Sequence, residues 1–334
     1  VAMIRRKLLT PDLCTEMVRI GRRSDTIVFI CYLDSLADGA MVAELKRRLS
    51  KINIDGVLDT NYIAELIRDK PRSLFKTSGT TERPDIVAAR LLEGRIALIA
   101  DGTPVVLTFP YLFSENFQSD EDYYLNYAIA SVGRVLRYIC FFLSVSIPAV
   151  FIAAATYHKE LLPTSLALTV TQLRGGVPFP AFAECILLIF VFEILKETGV
   201  RMPQSLGHAL SIVGGLVVGQ AAVEARIISA PMLIIVALAG ISGLMIPRLK
   251  GAVFYFRIIF VCLSALFGLY GYIAGFTLML IHILQLSSLG VSSTASLNSA
   301  DKRSLKDTFW RAPWKNMHTR PIFCRNSVRM ENKK

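Results

Sequence analysis

The chain has 334 residues, of which 53% are hydrophobic, and a formal net charge of +11. Residues 1–123 carry 17 basic and 18 acidic side chains, whereas residues 124–334 carry 20 and 8, so the positive excess lies in the more hydrophobic part of the chain. There it indicates segments held on the cytoplasmic side of a membrane, and we expect no nucleic-acid partner. The composition therefore predicts one soluble region and one membrane-embedded region.

Signatures of enzymes and metal proteins are missing from the sequence. The six cysteines, at positions 14, 31, 140, 185, 262 and 324, include no C-x-x-C pair, which argues against a zinc site or a disulfide framework. We find no Walker loop, no G-x-G-x-x-G and no H-E-x-x-H. We therefore expect no enzymatic activity, no cofactor and no bound metal.

Residues 1–119 predict a soluble cytoplasmic α/β domain. The β-rich apolar run at 26–33 predicts a strand, and 41–49 follows as an amphipathic helix. Two apolar runs at 95–109 flank Asp101 and Gly102 and predict a β-hairpin.

Two further helices are predicted in this domain. One covers 62–68, and the other begins at Pro84, whose fixed φ suits a first helical turn, and ends at Gly94. Because the chain begins at Val1 and residues 1–9 resemble the middle of a helix, we expect the domain to be N-terminally incomplete.

An interfacial linker helix is predicted at 120–134, followed by a transmembrane domain at 135–288 and a basic cytoplasmic tail at 289–334. The α-helical membrane domain is expected to contain about four to six segments. Its candidate spans are the long apolar stretches at 135–157, 181–197, 206–223, 232–246 and 253–286. Basic residues near the ends of these stretches are interpreted as cytoplasmic markers, namely Arg134, Arg137, Arg248, Lys250 and Arg257.

The last stretch is too long for one upright helix, and it contains Gly268, Gly271 and Gly275, where it can divide. Five crossings would place the α/β domain and the basic tail on opposite sides, although both are expected in the cytoplasm. Either 181–197 is re-entrant or the last stretch crosses twice.

Four glutamates lie inside or at the ends of these apolar stretches. A carboxylate at bilayer depth costs roughly 2.5–3.5 kcal/mol on insertion scales, so it is expected to face protein or water. Together with one glutamine they form the candidate ion path, which comprises Glu184, Glu193, Glu197, Gln220 and Glu224. Arg201 is the expected charge partner of Glu197, four residues away. The alternative for Glu193 and Glu197 is a salt-bridged helix end at the lipid headgroups, and the alternative for Glu224 is helix packing with a satisfied glutamate.

Small residues recur at every fourth position in the stretch before Gln220. This candidate packing stripe, a pattern that lets membrane helices approach closely, comprises Gly207, Ser211, Gly215 and Gly219. A second feature is a loop that is expected to be non-helical because of its glycines and prolines, and it is a candidate gating element. Its residues are Arg174, Gly175, Gly176, Pro178 and Pro180, and a plain connecting loop is the alternative.

Six stretches of the chain resemble the A subunit family of bacterial spore germinant receptors. They are TERPDIVAARLLEGRIALIADGTPVVL at 81–107, SDEDYYLNY at 119–127, GVPFPAFAE at 176–184, FEILKETGVRMP at 192–203, GQAAVEA at 219–225, and KDTFWRAPW at 306–314 with RP at 320–321. The stage V sporulation protein AF is a paralogue in the same family, and the sequence does not separate the two. The family often has glutamate where this chain has Gly175.

The resemblance implies a spore inner-membrane protein with a cytoplasmic N-terminal domain and a cytoplasmic tail. It further implies B and C subunits of a germinant receptor as partners, a homo-oligomer, and passage of monovalent cations. The leading hypothesis is therefore a gated cation channel subunit. A non-conducting scaffold that clusters receptors is the main alternative, and no inverted repeat supports a secondary transporter.

Overall fold

The computed structural model of the chain describes residues 1–201, 215, 217–295, 307–321, 323–326 and 328–329. The chain divides into two compact units. The first, here called the sheet unit, comprises residues 1–135 and 282–334, and the second, the helical unit, comprises residues 136–281. The predicted order of an α/β region followed by a helical region is confirmed.

The sheet unit contains a five-stranded antiparallel sheet in the order β1-β2-β4-β5-β3. The strands are β1 (Leu13–Ile20), β2 (Thr26–Leu33), β3 (Gly79–Thr81), β4 (Ile96–Ala100) and β5 (Val106–Phe109). The prediction of β2 is confirmed, and so is the hairpin, since β4 and β5 pair with Ile99 opposite Val106. The sequence analysis missed the edge strand β1, which is mostly half-exposed and carries polar residues among its apolar ones.

Helices cover both faces of this sheet. They are α1 (Ala2–Lys7), α2 (Gly39–Leu49), α3 (Thr60–Leu66) and α4 (Pro84–Leu92). Successive strand residues point to opposite faces, so Ile30 of β2 packs in one core with Leu45 of α2, while Cys31 packs in another with Leu91 of α4. Pro84 occupies the first turn of α4, as predicted.

Residues near the C-terminus complete the same unit. A short hairpin joins β6 (Ser287–Ser288) to β7 (Val291–Ser292), and its turn residue Leu289 enters the core beside α2 and α3. Cys324 is buried in the core on the α4 side.

The linker predicted at 120–134 is not one continuous helix. Residues Asp120–Tyr123 form a 3₁₀ turn, and the long helix α5 (Tyr127–Thr156) begins after it. The interruption has a local cause, because Asn126 Oδ1 accepts a hydrogen bond from the Ala128 N–H at 3.0 Å and so caps the start of α5.

The helical unit contains the rest of α5 and the helices that follow it. These are α6 (Thr164–Arg174), α7 (Ala181–Arg201), α8 (217–224), α9 (Ala230–Leu244) and α10 (Lys250–Leu284). By length and composition, α5 and the stretch Pro247–Leu284 are each able to cross a membrane, and α9 is a shorter apolar helix. The number of crossings stays a prediction.

Helix α10 folds back on itself at Gly268, whose φ of 62° and ψ of −142° are not helical. The rings of Phe260 and Phe276 lie 6.4 Å apart, although sixteen residues of continuous helix would separate them by about 24 Å. The two halves of α10 therefore pack antiparallel as a helical hairpin. The prediction that a glycine divides this stretch is confirmed, at the first of the three positions named.

Gly271 permits this hairpin, because a Cβ built on it would lie 2.1 Å from the carbonyl oxygen of Leu263. We expect Gly271→Ala to destabilise the helical unit by about 1–3 kcal/mol, the usual range for overpacking. The matched control is Gly251→Ala in the same helix, since no described atom beyond the adjoining helix backbone lies within 4 Å of the added Cβ. Thermal unfolding in detergent, followed by helical circular dichroism, measures both variants. Equal melting temperatures would contradict the close contact.

Candidate functional site

Glu184 is a fully buried carboxylate in the helical unit, with 0% of its surface exposed. Its Oε2 accepts hydrogen bonds from the backbone N–H of Ser229 at 3.0 Å and from the Ser229 hydroxyl at 2.7 Å. Arg174 Nη2 lies 3.5 Å from the other carboxylate oxygen. A buried carboxylate is tolerated when it is paired in this way, so Glu184 ties the start of α7 to the start of α9.

Glu193 and Glu197 lie one turn apart on α7, and both have basic partners. Glu193 lies 3.5 Å from Lys196 Nζ and 3.9 Å from Lys250 Nζ. Glu197 contacts Arg201 at 2.9 Å, as its spacing predicts, and Lys250 at 3.2 Å. Lys250 of α10 therefore joins the charged residues of α7 in one five-residue ion-pair network.

Gln220 and Glu224 differ from these glutamates because both are exposed on α8. Gln220 Nε2 donates a hydrogen bond to Glu224 Oε1 at 2.9 Å. Within the described part of the chain, Glu224 has no basic partner. Its carboxylate charge is therefore the least neutralised of the four candidate carboxylates.

The described members of the packing stripe face neighbouring helices of the same chain. A Cβ on Gly219 would lie 3.4 Å from a methyl group of Leu233 on α9, and one on Gly215 would lie 3.9 Å from Leu195 on α7. Gly207 and Ser211 lie outside the residues that the structure describes. Packing of this stripe between subunits stays a prediction.

In the candidate gating loop, residues 175–180 are non-helical between α6 and α7, as its glycines and prolines predict, and Arg174 is the last residue of α6. Its first residue, Arg174, contacts Glu184, and the Pro180 carbonyl accepts a hydrogen bond from the Glu184 N–H at 3.1 Å. The loop and Glu184 thus form one local structure. A gating role for Gly175, Gly176 and Pro178 stays a prediction.

Arg257 lies inside α10 rather than at its end, and only 1% of it is exposed, while its interpretation as a cytoplasmic marker stays a prediction. Its Nε donates to the Ser144 carbonyl at 2.7 Å, and its Nη2 donates to the Ala239 carbonyl at 3.0 Å and to the Ser144 hydroxyl. The guanidinium therefore joins α5, α9 and α10. Gly243 leaves room for it, since a Cβ there would approach the Ser144 hydroxyl to 2.9 Å.

Arg134 is also buried, with 0% exposed, and its interpretation as a cytoplasmic marker likewise stays a prediction. In the sheet unit its Nε lies 3.0 Å from Asp122 Oδ2, and its Nη1 lies 2.7 Å from Asp307 Oδ1. The Tyr123 hydroxyl donates to Asp307 Oδ2 at 2.7 Å. With Arg311, these residues form what we call the junction cluster.

Arg311 completes the junction cluster from the C-terminal side. Its Nη1 donates to the carbonyls of Asp122 and Leu125, each at 2.7 Å, and its guanidinium lies over the Tyr123 ring at 5.5 Å. Burial, followed by the charge of Asp307, raises the pKa of Tyr123 and keeps its hydroxyl protonated. The cluster fixes residues 307–311 beside the start of α5. Nothing in the sequence indicates that residues 119–127 and 306–314 meet.

A second charge network lies at the end of α4. Glu93 contacts Arg95 at 3.1 Å and both Arg90 and Arg329 at 3.5 Å. Burial alone would raise the pKa of Glu93, but these three arginines outweigh it, so the pKa lies below its ordinary value. Glu115 is a further carboxylate of this network, and it lies 2.9 Å from Arg90.

A profile of the family described as Bacillus/Clostridium GerA spore germination protein matches residues 1–323. The chain belongs to the GerA family. It is 43% identical to spore germination protein KA of Bacillus subtilis (strain 168), over 100% of this chain and 61% of that protein. It is 41% identical to the uncharacterized membrane protein YfkQ of the same organism, over 96% of this chain and 63% of that protein. The chain thus spans less than two thirds of the length of these relatives.

A crystal structure is similar to part of this GerA-family chain. It is the N-terminal domain of the A subunit of the Bacillus megaterium spore germinant receptor GerK3, which covers 34% of this chain and 89% of its own length, at 46% identity and a TM-score of 0.28. The family resemblance carried by the six short stretches is confirmed by the family match.

Removal of Arg134 leaves Asp122 and Asp307 without their shared buried cation. We expect Arg134→Leu to destabilise the sheet unit by about 3–5 kcal/mol, the usual cost of breaking a buried pair. The two tryptophans of the chain, Trp310 and Trp314, both lie in this unit, so their fluorescence in a urea titration measures its unfolding.

The matched control is Arg83→Leu, because the side chain of Arg83 is 48% exposed in its pair with Asp85. An exposed pair contributes about 0–1 kcal/mol. If both substitutions moved the urea midpoint equally, the junction cluster would not be an important contact.

Glu93 gives the sheet unit a pH dependence of defined sign. Because its pKa is lowered on folding, its contribution to stability is complete above the unfolded value of about 4.5 and is lost as the pH falls through the folded value. We expect Glu93→Gln to lower the urea midpoint at pH 7 and to flatten its change between pH 5 and pH 3. The control is Glu65→Gln at an exposed position, and an unchanged acid slope in Glu93→Gln would contradict the assignment.

Proposed function

We propose that the chain is the A subunit of a nutrient germinant receptor and forms, as a homo-oligomer, a gated path for monovalent cations in the spore inner membrane. The B and C subunits of the receptor are the proposed partners, and the α/β region and the basic tail are placed in the cytoplasm. The observation that carries this proposal is the family match over residues 1–323. If the chain is instead the paralogue, stage V sporulation protein AF, the proposed function is an accessory channel.

Membrane insertion is supported by the helical unit. Helix α5 and the stretch Pro247–Leu284 are each long and apolar enough to cross a bilayer. Helix α10 has 35 residues, and its reversal at Gly268 divides it into two shorter apolar helices. In the proposed topology the two halves cross separately, which satisfies the parity required to keep the α/β region and the tail on one side.

Within the candidate ion path, the geometry favours α8 as the conducting element. Glu184, Glu193 and Glu197 are paired with basic side chains, whereas Glu224 hydrogen-bonds only Gln220 among the described residues. An exposed carboxylate that retains its charge concentrates cations locally, by about tenfold or more in a confined low-dielectric path. We propose that Gln220 and Glu224 line this path in the oligomer.

A scaffold that conducts no ions is the second candidate function. It is favoured by the three ion-paired glutamates, since carboxylates neutralised in this way serve helix packing rather than permeation. In that account the sheet unit clusters receptors and transmits the signal to a separate channel.

Potassium flux from liposomes containing the complete receptor tests the two accounts. We expect Glu224→Gln to reduce the flux several-fold, because it removes the unpaired charge, and Glu193→Gln to change it less. Glu65→Gln in the sheet unit is the control for any effect of purification and reconstitution on the flux. Absence of flux from correctly assembled wild-type oligomers would contradict the channel and favour the scaffold, and unchanged flux in Glu224→Gln would exclude this residue from the path.

A further inference from the structure

Four helix ends meet at one place in the helical unit. Glu184, in the first turn of α7, binds Ser229 at the start of α9 and Arg174 at the end of α6. Gly176 of the loop lies against Arg226, just beyond α8. Between these ends lies a cavity of about 260 Å³.

Arg226 is the notable residue of this cavity. It has a left-handed backbone with φ of 54°, which is uncommon for a residue other than glycine. Its side chain lies so close to the loop that a Cβ on Gly176 would be 3.2 Å from Arg226 Cδ and 3.4 Å from Nη1. A larger side chain at 176 would therefore crowd Arg226.

The charge of Arg226 is not neutralised by the described part of the chain. The carboxylate nearest in sequence, Glu224, hydrogen-bonds Gln220 instead. Glu184 is occupied by Ser229 and Arg174. Arg174 in turn has a buried Nε for which the described residues provide no acceptor. Arg174 does not line the cavity, so among the described residues Arg226 supplies its guanidinium.

The cavity wall is amphipathic. Its polar side consists of Gln172, Gly176 and Arg226, and its apolar side includes Leu173, Val223 and Ile228. A guanidinium binds phosphate oxygens through two parallel N–H donors, and the loop and Gln172 provide further neutral polar groups. A ligand that suits both sides has an anionic phosphate and an adjoining apolar part.

We propose that this cavity binds the phosphate of a phosphate ester, with Arg226 as its cationic contact. The identity of the phosphate ester rests on the proposed function. If the helical unit lies in a membrane, the ends of its helices reach the lipid headgroups, and the ester is then a phospholipid. A soluble phosphate ester is the other source of the same chemistry, and the experiment separates the two.

The test uses the full chain, purified in detergent and stripped of lipid, with three short-chain or soluble probes. These are dioctanoyl phosphatidylglycerol, dioctanoylglycerol, which lacks the phosphate, and glycerol 3-phosphate, which lacks the acyl chains. Binding is measured by thermophoresis. We expect phosphatidylglycerol to bind and dioctanoylglycerol to bind at least tenfold more weakly. Weak competition by glycerol 3-phosphate assigns the site to lipid, and competition as strong as that of the lipid assigns it to a soluble ester.

Two variants and one control decide the residue assignment. Arg226→Gln removes the charge, and Gly176→Leu fills the cavity, so we expect each to weaken phosphatidylglycerol binding at least fivefold. Arg201→Gln is the matched control, since Arg201 ends the same helix α7 that begins beside the cavity and its side chain is 78% exposed. Equal affinities in Arg226→Gln and Arg201→Gln, or equal binding of the probe without phosphate, would overturn the proposal. Because binding is measured without flux, loss of the channel function would leave this result intact.

Discussion

The helical unit depends on the pairing of buried charge. A carboxylate or guanidinium in an apolar environment is tolerated only when hydrogen bonds or an opposite charge replace the water that it loses. Glu184 meets this condition through Ser229 and Arg174, and Arg257 meets it through the carbonyls of Ser144 and Ala239. These contacts join α5, α6, α7, α9 and α10. Helix packing that is mostly apolar, and therefore weakly directional, gains a defined geometry from these few polar contacts.

The same constraint separates the acidic residues into two groups. Glu184, Glu193 and Glu197 lie next to basic side chains, so their charges contribute to the structure of a single chain. Glu224 is exposed and hydrogen-bonded to the neutral Gln220, which leaves its charge available. Depth within a hydrophobic stretch is thus a poor guide to a residue's role. We therefore propose that the presence of a basic partner separates the structural carboxylates of the GerA-family chain from Glu224.

Sequence reasoning predicted elements that local patterns determine. The apolar run of β2, the Asp101–Gly102 turn between β4 and β5, and Pro84 at the start of α4 each act over a few residues. The division of α10 at Gly268 follows from its length and from a glycine that adopts positive φ. The six short stretches were similarly sufficient to identify the family, because each is a local match to its sequence.

Contacts between positions that are distant in the chain could not be predicted from the sequence. Arg134 and Asp307 are 173 residues apart, and Arg257 and Ser144 are 113 apart, so neither arginine could be distinguished from an exposed basic residue at a helix end. Glu184 and Ser229 are 45 apart, and only the structure shows that the hydroxyl and the N–H meet the carboxylate. The ion-path set was therefore predicted as one group, although its members have different environments. The role of each member is proposed from those environments.

The most direct measurement of this account is the water accessibility of the carboxylate positions in the assembled receptor. Single cysteines at 184, 220 and 224, introduced after replacement of the six natural cysteines, are treated with a charged, membrane-impermeant thiol reagent applied to either side of the membrane. The account predicts fast modification at 220 and 224 that blocks cation flux, and negligible modification at 184. Protection of 224, or modification at 184 as fast as at 224, would contradict it.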